Sequence, residues 1–220
     1  MDKEELLIAY LKKYKKKVDC ELLTHIGEGS MGSAYRYKDK VFKITSDYHD
    51  FLIALEGLKR NYDFFAKVYS VDVIKYDDLY FYILEVEYCG ETLFEKHRSG
   101  EIDNYFCLIY NKIFDVFTSN YFVNTPIYFK EVRESLIVIF GKAIYKSYKT
   151  DIKYLYSTFK KLERICKRKE LSYFDYHASN VCLVEGKLKV IDFGYFRDEY
   201  DTVEDRDKFF KTFKIKTLSK

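Results

Sequence analysis

The sequence predicts an α+β fold of two lobes. The first, at residues 1–88, is a small antiparallel β-sheet with an N-terminal helix and one further helix. The second, at residues 89–220, is mostly helical and truncated. Two observations predict this division. Short alternating apolar stretches separated by turn residues dominate the first part, which is typical of paired strands. Longer stretches of helical periodicity fill residues 102–168, and two short apolar runs follow within residues 181–191.

Composition narrows the class of protein. Of the 220 residues 48% are hydrophobic, enough for a substantial core, and a net charge of +3 makes a dedicated nucleic-acid binder unlikely. The five cysteines are scattered without a C-x-x-C pair, which favours reduced thiols over a disulfide framework or a zinc site. No apolar run is long enough for a membrane span. We therefore expect a soluble, cytoplasmic protein.

The first lobe begins with a helix predicted within residues 3–18, and a glycine-rich stretch follows between two predicted strands. A dinucleotide-binding fold would open a helix on the third glycine, whereas here Ser33–Tyr37 alternates like a strand and Val41–Ile44 returns beside it. Glycines in such a loop let backbone N–H groups approach phosphates closely. The residues predicted to bind nucleotide in this stretch are Gly27, Glu28, Gly29, Ser30, Gly32 and Ala34.

Lys43 lies in the middle of the second of these strands, among apolar neighbours. A helix is predicted over Asp47–Arg60, and its Glu56 is our candidate for the carboxylate that pairs with Lys43. Asp47 and Asp50 are also available for this role. Two further strands are predicted at 64–75 and 79–88, and the second runs into a polar, glycine-bearing connector.

The stretch Tyr173–Gly194 contains the residues with the strongest chemical signal. Asp175 and Asn180 stand five positions apart, followed by two apolar runs around the turn Glu185–Lys187 and then by Asp192. This pattern predicts a β-hairpin that returns Asp192 close to Asn180. Transfer of a phosphoryl group needs a carboxylate that orients the acceptor hydroxyl and oxygen ligands for Mg²⁺. Asp175 fits the first role, and Asn180 and Asp192 fit the second.

With these motifs in this order, residues 26–194 resemble the protein-kinase superfamily. The resemblance implies a protein-kinase-like fold, with ATP and Mg²⁺ as cofactors. It implies that Lys43 contacts the α- and β-phosphates. It also implies that Val86 lines the adenine pocket, where the backbones of Glu87 and Cys89 meet the adenine edge.

Within the superfamily, residues 174–181 are similar to the F-D-x-H-x-x-N-[IV] loop of the short early protein kinases of T-seven-type bacteriophages. This implies a serine/threonine kinase acting on host proteins and on itself. His177 stands where such kinases usually carry a lysine, and it would then be protonated or would orient Asp175. No A-P-E motif follows, and a closing helix within residues 203–213 and a basic tail complete the predicted lobe.

Two other classes remain open from the sequence. Small-molecule phosphotransferases of the aminoglycoside and choline kinase type also carry H-x-x-N after the catalytic aspartate and long helical segments before it. A nucleotide-binding pseudokinase is expected to lack Lys43, Asp175 or Asp192, and all three are present. The sequence therefore favours an enzyme with protein substrates over both alternatives.

Overall fold

The computed structural model describes residues 2–29, 31–77, 79–122, 126–169, 176–192, 213 and 215–218, apart from a few side chains. Its fold is α+β with a mostly antiparallel main sheet, which confirms the predicted class. Residues 2–88 and the described residues after 212 form one unit, and residues 89–192 form a second. The border after residue 88 coincides with the predicted one, whereas the C-terminal residues belong with the first unit, not with the second as predicted.

The elements lie close to their predicted positions. Those of the first unit are α1 (Lys3–Tyr14), β1 (Thr24–Glu28), β2 (Gly32–Tyr37), β3 (Lys40–Thr45), α2 (Tyr48–Arg60), β4 (Val68–Tyr76) and β5 (Leu79–Glu87). Those of the second are α3 (Leu93–Arg98), α4 (Asn104–Phe122), α5 (Phe129–Ser147), α6 (Lys149–Lys169), β6 (Val181–Val184) and β7 (Lys187–Val190). A last strand, β8 (Lys216–Thr217), returns to the first unit. Residues 203–212 of the predicted closing helix lie outside the described residues.

The main sheet has the strand order β1-β2-β3-β5-β4-β8, and its pairs are antiparallel except for β4 with β8. Since side chains alternate across a strand, Lys43 in β3 faces away from Phe42 and Ile44. Helix α1 packs on the Phe42 face, and its own buried residues are Leu6, Leu7, Tyr10 and Leu11. The opposite face of the sheet therefore carries Lys43. Among the described residues, no helix is both long and apolar enough to cross a membrane.

A buried carboxylate, Glu85 in β5, ties the end of α1 to the sheet. It accepts hydrogen bonds from Lys15, Lys40 and Ser70 at 2.8, 2.6 and 3.0 Å. Burial works against ionisation of Glu85, yet the hydrogen bonds from Lys15 and Lys40 hold its pKa below the ordinary value. Lys15 is therefore a structural residue, although it belongs to a lysine-rich segment.

Strand β8 fastens the C-terminal residues to the first unit. Lys216 and Thr217 pair with β4, and the Lys216 Nζ lies 2.6 Å from Asp72 Oδ1. The Thr217 carbonyl accepts hydrogen bonds from the Lys13 ammonium at 3.1 Å and the Tyr14 hydroxyl at 2.9 Å. Leu218 is only 7% exposed and belongs to the core under α1. The segment predicted as a basic tail is thus an edge strand with a core leucine.

We predict that Leu218→Ala lowers the free energy of unfolding by about 2–5 kcal/mol, because it leaves a cavity between α1 and the sheet. The matched control is Leu22→Ala, since Leu22 is 57% exposed and its loss changes little packing. Urea unfolding of both variants measures the difference. Equal midpoints for the two variants would show that the C-terminal strand does not stabilise the first unit.

Candidate functional site

The glycine-rich turn joins β1 to β2, and the Gly29 N–H donates to the Gly32 carbonyl at 2.8 Å to close it. Gly32 is required by packing, because a Cβ there would lie 2.8 Å from the Ile44 carbonyl oxygen. A Cβ on Gly27 would meet nothing within 4 Å, and one on Gly29 would meet only the Gly32 carbonyl at 3.9 Å. Packing within the described residues therefore does not require glycine at these two positions, and the backbone there is open to close approach.

The other residues predicted to bind nucleotide here are Glu28, Ser30 and Ala34. Glu28 pairs with Ser33 in the β1–β2 ladder, and Ser30 lies outside the described residues. Ala34 in β2 stands directly opposite Lys43 in β3. A small side chain at this position leaves room beside the Lys43 stem.

Lys43 is held by a buried carboxylate from helix α2. Its Nζ lies 2.5 Å from Asp50 Oδ2, and the two side chains are 13% and 2% exposed. Asp50 reaches the lysine from the first turn of α2, whose N-terminus is capped by the Asp47 side chain on the His49 N–H. The sheet thus presents an ammonium whose position is fixed by an ion pair with a helix of the same unit.

Glu56 is the residue that we expected beside Lys43. Its carboxylate accepts a hydrogen bond from the Tyr62 hydroxyl at 3.1 Å and pairs with Arg60 at 2.9 Å. Lys43 forms an ion pair with Asp50, the alternative candidate from the same helix. Asp50 and Glu56 are six residues apart, so an α-helix turns their side chains about 120° away from each other.

The residues expected to line the adenine pocket lie at the end of β5 and just beyond it. Val86 is 4% exposed and pairs with Val41 in β3, so it shares the face of the sheet that carries Lys43. The backbone of Glu87 donates to the Lys67 carbonyl at 2.8 Å, and its carboxylate accepts from the Lys67 N–H at 3.1 Å. Cys89 is buried and opens the second unit.

In the second unit, His177 caps a 3₁₀ helix, Ala178–Asn180. Its Nδ1 accepts from the Ser179 N–H at 3.2 Å, and its Nε2 lies 3.3 Å from the Asn180 amide nitrogen. The Asn180 N–H donates back to the His177 carbonyl at 2.9 Å. These contacts show that His177 orients Asn180. Asp175, the predicted catalytic carboxylate, lies outside the described residues.

The predicted hairpin is present. Strands β6 and β7 pair in the register Val181 with Val190, and Glu185 and Gly186 form the turn with φ of 50° and 74°. The Ile191 N–H donates to the Asn180 carbonyl at 3.0 Å, which confirms that the chain returns Asp192 to the neighbourhood of Asn180. A carboxylate and an amide oxygen are the kinds of ligand that Mg²⁺ prefers, so this pair fits that ion.

Contacts from three helical regions hold residues 176–180 and the β6–β7 hairpin in place. The Tyr110 hydroxyl of α4 donates to the Tyr176 carbonyl at 2.5 Å, and the Tyr154 hydroxyl of α6 accepts from the Leu188 N–H at 2.8 Å. Cys182 of β6 contacts the Gly90 carbonyl near the start of α3 at 3.5 Å. Burial raises the pKa of the Cys182 thiol to about 12, so this thiol is a packing group and not a nucleophile. The sequence carries no signal for these contacts, since they join residues far apart in the chain.

Comparison with known proteins adds no family to these observations. No protein-family model matches the chain, and no curated protein matches it.

We predict that Tyr110→Phe lowers the free energy of unfolding by about 1–3 kcal/mol, because the buried Tyr176 carbonyl loses its donor. The control is Tyr105→Phe, which removes the same atom from a residue that is 42% exposed. Chemical denaturation followed by circular dichroism measures both variants. Similar losses in the two variants would contradict the role of Tyr110 in holding the loop.

Proposed function

We propose that this chain is an ATP- and Mg²⁺-dependent serine/threonine protein kinase. The observation that carries the proposal is the hydrogen bond from the Ile191 N–H to the Asn180 carbonyl, which brings the chain at Asp192 back beside Asn180. Support from the first unit is the buried ion pair of Lys43 with Asp50, on the same sheet as an open glycine turn. These features suit a triphosphate with its metal ion.

Each residue has a distinct task in the proposed reaction. Magnesium, when bound with ATP, neutralises charge on the phosphates. Asn180 and Asp192 would hold it, and His177 would keep the Asn180 side chain in its rotamer. Lys43 would donate to phosphate oxygens, and Asp50 would hold the ammonium in place when no nucleotide is present.

Asp175 completes the proposed mechanism. Its carboxylate would accept the proton of the serine or threonine hydroxyl while orienting the oxygen toward the γ-phosphorus. The new O–P bond forms as the bond to the ADP leaving group breaks. The glycine turn would donate backbone N–H groups to the phosphates, with Gly27 and Gly29 leaving the approach unobstructed.

Incubation with γ-labelled ATP and Mg²⁺, with and without a cell extract, tests the proposal. We expect label on proteins with the wild type and a loss of at least about 100-fold with Asp175→Ala, while ATP affinity changes little. The control variant is Asp63→Ala, since Asp63 is exposed and lies outside the proposed site.

The acceptor decides between the classes of phosphotransferase. Label confined to small molecules would overturn the protein-kinase assignment in favour of a small-molecule phosphotransferase. ATP binding with no label on any acceptor would overturn the proposal of an enzyme. Undiminished transfer by Asp175→Ala would contradict the role given to that carboxylate.

A further inference from the structure

Helix α5 in the second unit is bent sharply at one residue. Gly141 has φ 83° and ψ 162°, a backbone conformation that only glycine adopts readily, so the helix consists of two arms that meet at an angle. Any other residue would be strained at this φ, even though a Cβ there would meet nothing within 4 Å. The bend is therefore a property of the backbone and is not forced by crowding.

The two arms and the start of α6 enclose a cleft of about 480 Å³. Both arms contribute basic residues at helical spacing, with Lys130 and Arg133 three apart in the first arm and Lys142 and Lys146 four apart in the second. Among the described residues, those that line the cleft include no acidic side chain and five cations, which are Lys130, Arg133, Lys142, Lys146 and Lys149. All five are exposed.

Acidic neighbours neutralise little of this charge. Lys130 lies 3.9 Å from Glu134, and both side chains are mostly exposed, at 79% and 61%. In the described part of the chain, the other four cations of the cleft make no ion pair. A concave surface lined by charges of one sign concentrates counter-ions more strongly than a flat one does. The cleft is therefore suited to a compact anion.

The aromatic residues of the cleft argue against nucleic acid as the occupant. Tyr145 is only 8% exposed, and the Arg133 guanidinium lies 6.0 Å from its ring centroid. The Phe129 ring packs edge-on against Tyr156, with centroids 5.1 Å apart. Binding of single strands relies on aromatic faces on which bases stack, and these two rings are already engaged.

An apolar side chain within the cleft favours a peptide over a free phosphate compound. Ile137 lines the cleft together with the cations and is partly exposed. A peptide can place an apolar side chain on Ile137 while its anionic group contacts the cations. Arg133 provides the forked donor that holds a phosphoryl group at two oxygens, and the lysines add charge.

We propose that this basic cleft binds a phosphorylated segment of a protein. If the chain is the protein kinase proposed above, the segment belongs to a substrate that already carries one phosphate, and the cleft recruits such substrates. Recognition by the cleft itself does not depend on phosphoryl transfer.

Fluorescence polarisation without ATP tests the cleft directly. The probe is a labelled peptide with one phosphoserine flanked by leucine and glutamate, compared with the same peptide carrying serine. We expect the phosphorylated probe to bind at least about tenfold more tightly, and Arg133→Glu combined with Lys146→Glu to reduce its affinity at least about tenfold. The control is Lys153→Glu combined with Lys161→Glu, which reverses two exposed charges on α6 outside the cleft and should leave affinity unchanged.

Several outcomes would overturn this proposal. They are equal affinity for both peptides, equal losses in the two double variants, and tighter binding of a single-stranded RNA oligomer or of tripolyphosphate than of the phosphopeptide. Protein labelling by the Arg133→Glu and Lys146→Glu variant, measured separately, distinguishes failure of the cleft from failure of the kinase. A variant that still phosphorylates itself but no longer binds the probe supports both proposals.

Discussion

The buried ion pair between Lys43 and Asp50 is the interaction on which the first unit's candidate site depends. It joins the central region of the sheet to α2 through two side chains that are 13% and 2% exposed. Removing one partner would leave an uncompensated buried charge, which typically destabilises a protein by about 3–5 kcal/mol. Well-packed apolar residues of similar volume are often no less stable than a buried ion pair. In the proposed function, the ion pair serves to fix the ammonium that contacts phosphate.

In the second unit, hydrogen bonds and not an ion pair position the residues of the candidate site. The tight turn at Glu185 and Gly186 sets the register of the β6–β7 hairpin, and the register sets the bond between Ile191 and Asn180. His177 and Tyr110 hold the loop that precedes the hairpin. Each unit thus positions its polar groups with its own internal contacts.

Local patterns in the sequence are sufficient to predict the glycine turn, the strand of Lys43 and the return of Asp192 to Asn180, because turns and strand alternation act over a few residues. The choice of Asp50 for Lys43 depends on the angle at which α2 meets the sheet, which no local pattern encodes. The pairing of β8 with β4 and the contact of Tyr110 with Tyr176 likewise join distant parts of the chain. The bend at Gly141 escapes prediction because an isolated glycine within helical periodicity is compatible with a straight helix.

The central claim of the proposed function is that Asp192 holds the Mg²⁺ that accompanies ATP and that Lys43 contacts phosphate. Calorimetric titration with ATP, in the presence and absence of Mg²⁺, tests it most directly on the wild type and on Asp192→Ala, with Asp63→Ala as the control. The account predicts that Mg²⁺ strengthens ATP binding by the wild type and the control, and that this gain disappears in Asp192→Ala. Lys43→Gln should weaken ATP binding whether or not Mg²⁺ is present. A Mg²⁺-dependent gain that survives in Asp192→Ala, or ATP binding unchanged by Lys43→Gln, would contradict the account.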